Sequence, residues 1–170
     1  MEVRAMFGGE KAAERRREMM RLADQAADHA LDALAEGDPK RAKKELAVVP
    51  KKISFADGGW KPALALAVAE LALGRKRAGI TRMADVMAGL DETNLSRDDK
   101  AYLRLYALYR AIDYSKDGKA PPELRAQADD IRFDQILVSR HLKQRFPLKK
   151  VEETVPAPPP MARPPAARDL

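Results

Sequence analysis

Two histidines, His29 and His141, and four carboxylates, Asp24, Asp28, Asp32 and Glu36, are the side chains here whose type and spacing could do chemistry. Carboxylates one helical turn apart can share a cation, so the acidic run raises a metal-binding reading. No histidine and no second acidic segment converges on it in sequence. The alternative is a solvated helix face with ion pairs across a hairpin. Like charges four residues apart repel by a few tenths of a kcal/mol per pair, and the following basic residues Lys40, Arg41, Lys43 and Lys44 are expected to offset that. Neither histidine stands in a Glu-x-x-His or His-Glu-x-x-His setting. The chain has no glycine-rich phosphate loop, no Gly-x-Ser-x-Gly and no cysteine. Ser54, Ser96, Ser115 and Ser139 are isolated, and Ser96 has a helix-capping role to explain it. No catalytic residue, cofactor or metal site is therefore expected, and the chain reads as a non-enzyme.

Two surfaces remain as candidates for binding. Tyr102, Tyr106 and Tyr109, with Leu105 and Ile112, form one stripe, and Leu103, Ala107 and Tyr114 form another strip on the same segment. Tyrosine suits an interface because it joins an apolar body to a hydroxyl. The same stripe would serve equally as core in a helix with neighbours on both sides. The second surface is basic: Arg140, Lys143, Arg145, Lys149 and Lys150 lie in RHLKQRFPLKK, which contains no acid. Arg15–Arg17, Lys43–Lys44 and Arg75–Arg77 are further clusters. Such residues can bind phosphate or merely solvate a helix face, and no aromatic stacking platform accompanies them.

The elements that must carry these residues are helices. Ala, Leu, Arg, Lys and Asp dominate and β-branched residues are sparse, which favours helix. Hydrophobic residues make up 45% of the chain, enough for a core, and its 170 residues suit one domain plus a tail. The absence of cysteine fits a reducing compartment. The longest apolar stretch, Ala63 to Leu73, is too short to span a bilayer, and the N-terminus lacks the apolar core of a signal peptide. A cytoplasmic protein without a membrane partner is expected. The net charge of +6 suits an acidic partner or a polyanion.

Periodicity places helices at about Glu10–Glu36, Pro39–Val49, Trp60–Leu73, Lys76–Leu90, Arg97–Asp113 and Pro121–Phe146. On the first, Met20, Ala23, Ala27, Ala30 and Leu34 share a face. Gly37 permits a left-handed cap, Asp38 caps the next helix, and Pro39 fits its first position. The helix within Ala63–Leu73 is apolar nearly all round, interrupted by Glu70, and should lie centrally. Ser96-Arg97-Asp98-Asp99 resembles a capping box. Beyond Glu152, a Pro- and Ala-rich segment with Pro156, Pro158 and Pro164 has no apolar period and is expected as a disordered tail.

Gly37, Ala42, Leu46 and Val49 recur as Gly74, Gly79, Met83 and Val86, each 37 residues on. A glycine turn, a small residue and then apolar residues in the second helix resemble a tetratricopeptide repeat. The first helix of each unit departs from that pattern: Ala26 and Ala33 stand where large aromatic residues are expected, and the spacing exceeds the usual length of about 34. The resemblance covers about half the chain. It implies an all-α fold of three stacked antiparallel helical hairpins, either a tetratricopeptide-like right-handed stack or an irregular α-bundle. The expected organisation is a flexible 1–9, a single helical-hairpin domain over 10–150 and the tail over 151–170. The expected function is non-catalytic: an adaptor binding another protein, with Tyr102, Tyr106, Tyr109 and the five basic residues 140–150 as candidate contacts. The alternatives are a nucleic-acid-associated protein using the basic clusters, or a structural component of a larger assembly.

Overall fold

The computed structural model describes the backbone of residues 2–50, 53–114, 122 and 138–148, with side chains from residue 9 onward. Six α-helices lie among these residues: α1 (Glu2–Ala35), α2 (Pro39–Leu46), α3 (Trp60–Ala72), α4 (Lys76–Gly89), α5 (Arg97–Asp113) and α6 (Arg140–Arg145). Short 3₁₀ turns at Phe55–Asp57 and Leu90–Glu92 complete the set, and no strand occurs among the described residues. The architecture is all-α, with helical hairpins stacked through α3.

The two hairpin turns are physical copies of each other. At the first, the Gly37 N–H donates to the Leu34 carbonyl at 3.1 Å and the Asp38 N–H to the Ala33 carbonyl at 2.9 Å. At the second, Gly74 donates to Leu71 at 3.0 Å and Arg75 to Glu70 at 2.9 Å. Both are Schellman closures, which need a left-handed residue, and Gly37 and Gly74 supply φ of 79° and 81°. The turn after the first helix is tight because Asp38 then accepts the Arg41 N–H and Pro39 opens α2.

Small residues set the helix spacing. Ala42 on α2 is fully buried. Gly79 on α4 is buried as well, and a Cβ there would lie 2.6 Å from Leu71 Cγ. The small residues that follow the two turns thus lie where helices pack closely. On α1, Ala23, Ala26, Ala27, Ala30 and Ala33 are all buried, so α1 packs against α2 and α3 together. Ala26 and Ala33 therefore leave no gap for the missing aromatics; they let neighbours come close. The core is completed by Leu64, Val68 and Leu71 of α3, Met83, Val86 and Met87 of α4, and Leu103 and Tyr106 of α5.

The structure differs from the sequence expectation at three places. The first helix begins at Glu2 and not at about Glu10. Its residues 9–22 have no buried side chain, and the ion pair of Arg16 with Asp57 ties this half to the 3₁₀ turn. The second helix stops at Leu46, because Ala47 and Val49 donate to carbonyls only three residues back, the tighter turn usual at helix ends. The expected sixth helix does not run unbroken to Phe146: Val138 and Ser139 are not helical, Ser139 takes the N-cap position with ψ of 134°, and α6 is a separate helix of six residues. Residues 115–121, 123–137 and the tail 151–170 lie outside the described residues, as do Lys149 and Lys150.

Candidate functional site

The acidic stripe on α1 is neutralised, but by other elements than expected. Lys61 Nζ, at the start of α3, lies 2.8 Å from Asp24 and 2.7 Å from Asp28. Arg145, at the end of α6, reaches Asp28 at 3.1 Å and Asp32 at 2.8 Å. From α2 only Arg41 contributes, pairing with Glu36 at 2.6 Å. Lys43, expected here, turns instead to Glu70. The stripe is a seam joining α1 to α3 and α6. Among the described residues no group of three His, Cys, Asp or Glu side chains could hold a metal ion. His29 faces Glu45 at 3.7 Å and His141 is exposed on α6. The two belong to different elements and share no contact with a common carboxylate.

Two of the three candidate tyrosines are buried within the chain. Tyr102 and Tyr106 are 2% and 5% exposed, while Tyr109 is half-buried. The Tyr102 hydroxyl donates to the Phe146 carbonyl at 2.6 Å. The Tyr106 ring meets Phe146 edge-on at 5.1 Å, with the Arg110 guanidinium 5.1 Å over its own face. Burial pushes the Tyr106 hydroxyl up to about 12. Asp99, also buried, accepts the Ser139 N–H at 2.9 Å and its hydroxyl at 2.7 Å. Arg110 donates to the Pro147 carbonyl at 3.2 Å. Helix α5 thus clasps α6 by the residues at both its ends, and Leu142 and Phe146 are buried beneath. Trp60 lies 5.9 Å from Phe146 on the α3 side.

The basic cluster is divided by this docking. Arg145 is engaged by Asp28 and Asp32, whereas Arg140 and Lys143 are exposed. Of the five basic residues expected as one patch, the three described are two surface cations and one held in ion pairs.

A different surface has the form of a binding groove. Between α2, α3 and the start of α4 lies an open depression of about 540 Å³. Its floor is aliphatic, formed by Leu46, Leu66 and Leu73 with Ala47 at the edge. Its rim carries Lys40, Lys43, Lys44 and Arg75. Beneath the rim, Glu70 is 3% exposed and lies 2.7 Å from Lys43 and 3.6 Å from Arg75. The hydrogen bond from Lys43 holds the Glu70 carboxyl below the usual carboxylate range. Lys40 and Lys44 have no ion pair among the described residues, so their charge faces outward. Reading by sequence missed this groove. Its signal was Glu70, a lone acid in an apolar helix, which had to meet cations from both neighbouring turns.

The geometry defines a class of protein: an all-α protein of stacked helical hairpins, with a basic-rimmed apolar groove on its surface. Comparison with protein families, with curated proteins and with solved structures finds no match in any of the three. The likeness to tetratricopeptide repeats extends to helical hairpins and their packing, and not to that family in particular. No helix of the described residues is long and apolar enough to cross a membrane.

Proposed function

We propose that the protein is a non-catalytic interaction module that binds another protein in the groove between α2 and α3. The observation behind this reading is the combination of an aliphatic floor, with Leu66 and Leu73 half-buried and Leu46 buried, and fixed and free cations at its rim. Apolar contact supplies affinity at such a surface, and charge selects and orients the partner. Tyr102 and Tyr106 are spent on holding α6, so the contact surface moves from the tyrosine stripe to this groove. In an adaptor the scaffold would be the stacked hairpins, which present the groove in one preformed shape.

A photo-crosslinking residue at Ala47, in the groove, tests the reading in the native cell. A discrete protein adduct that survives nuclease treatment is expected there. The same residue at Glu92, which is exposed and outside the groove, should give none. Adducts that vanish with nuclease would favour the nucleic-acid alternative, and equal labelling at both positions would remove the groove as the docking site.

A further inference from the structure

We propose that the partner presents an acidic amphipathic helix to this groove: aliphatic side chains one to two turns apart, with carboxylates along the flank. The inference rests on the groove being a protein-docking site, and it adds what the groove selects.

The floor sets the first requirement. Leu66 of α3 and Leu73, the residue that caps its C-terminus, are seven residues apart, which puts them on one side and about two turns apart, about 10 Å along the axis. Leu46 of α2 closes the side of that strip. A strip of this length and chemistry matches the apolar anchors of one incoming helix, spaced at i, i+4 and i+7. It offers nothing to a phosphate chain, and among the described residues no aromatic side chain lines the groove for bases to stack on.

The rim sets the second. Lys40 and Lys44 are one turn apart on the same face of α2, about 5–6 Å between Cβ atoms. That spacing repeats the spacing of carboxylates at i and i+4 on a ligand helix. Lys43 and Arg75 are already held over the groove by Glu70, so little of their freedom is left to lose on binding. Glu70 cancels one of the four rim charges, and the rim keeps a positive excess. An acidic helix satisfies that excess and covers the leucines at once. A neutral apolar helix would bury the free lysines beside it without partners, which is costly.

The test uses the full chain and a fluorescent synthetic helix with leucines four residues apart and glutamates on both flanks. Three further probes accompany it: the same helix with Gln for Glu, the same with Ser for Leu, and a single-stranded oligonucleotide. Anisotropy titration should show binding of the acidic helix, weakened about tenfold or more by either change, since each factor of ten is a modest loss of contact energy. The Lys40→Glu/Lys44→Glu variant, with unchanged helical circular dichroism, should lose the acidic helix and tolerate the Gln version better. Equal affinity for the Glu and Gln helices would overturn the proposal. An Ala47 adduct obtained in cells without any binding of the acidic helix would overturn this inference while leaving the docking site in place. An oligonucleotide that competes as well as the acidic helix would overturn both.

Discussion

At Gly74 and Gly79, five residues apart, glycine is needed for two different reasons. Gly74 has φ of 81° and open space where a Cβ would go, so alanine there costs only backbone strain, on the order of 1 kcal/mol. Gly79 has ordinary helical geometry, but a Cβ would sit 2.6 Å from Leu71 Cγ and 2.9 Å from its backbone nitrogen. Relief requires α3 and α4 to part, so Gly79→Ala should cost about 1–3 kcal/mol, the usual range for overpacking. Chemical denaturation of both variants checks the order, and a Gly79→Ala protein as stable as wild type would mean α3 and α4 are not in close contact. Ala42→Leu should behave like Gly79→Ala, since Ala42 is fully buried where α2 packs. Tyr106 yields a pH prediction. Its hydroxyl is held up to about 12 by burial, whereas in the unfolded chain it titrates near 10. The raised folded value means its contribution is complete below pH 10 and is lost as pH rises from 10 to 12. Stability should fall over that window, by about 2–3 kcal/mol for this one group. Tyr106→Phe should flatten the fall, and an unchanged slope would assign it to other groups.

Among the elements, those formed by neighbours in sequence were the legible ones. The turns at Gly37 and Gly74 could be read because every atom of a Schellman closure lies within six residues. The Ser96 cap could be read for the same reason, and its hydroxyl does accept the Asp99 N–H at 3.1 Å. The second role of Asp99 could not, because its partner Ser139 is forty residues away. The tyrosine stripe shows the limit from the other side. Its helical spacing was right, but spacing alone does not say whether a stripe faces solvent or a later segment of the chain. Here the later segment is α6, whose six residues are too few to be helical alone. It stands because Asp99 and Tyr102 hold its ends. Asp99→Ala would leave the Ser139 N–H and hydroxyl unpaired, at a cost of about 1–3 kcal/mol. The expected result is faster hydrogen exchange across residues 139–146 with α3 and α4 unaffected. Uniform loss of protection would instead show that α6 opens only when the whole molecule unfolds.

For the molecule as a whole, the longest-range link among the described residues is the one between Arg145 and the acidic face of α1. It joins Arg145 to Asp28 and to Asp32, the latter 113 positions away, and it explains two features that looked separate in sequence: four acids spaced to repel each other, and a basic run without an acid. The acids recur every four residues because α1 is lined on that side by Lys61 and then by Arg145. The basic run lacks an acid of its own because α1 supplies one. Reversing Arg145 to Glu puts a fifth carboxylate beside Asp28 and Asp32. Arg145 is 38% exposed and Asp32 55%, so solvent screens much of the effect, and a loss of about 1 kcal/mol is expected. Asp32→Arg in the same chain should recover most of it, because the pair is restored with its direction exchanged. Failure of that recovery would mean the seam is surface decoration and α6 is seated by Leu142 and Phe146 alone. The same variant separates structure from polyanion binding. If the exposed Arg140 and Lys143 are what a polyanion column retains, Arg145→Glu should lower the melting temperature and leave retention nearly intact. Arg140→Glu with Lys143→Glu should do the opposite. Retention lost with Arg145 instead would show that its ion pairs with α1 open readily enough for a polyanion to compete for them.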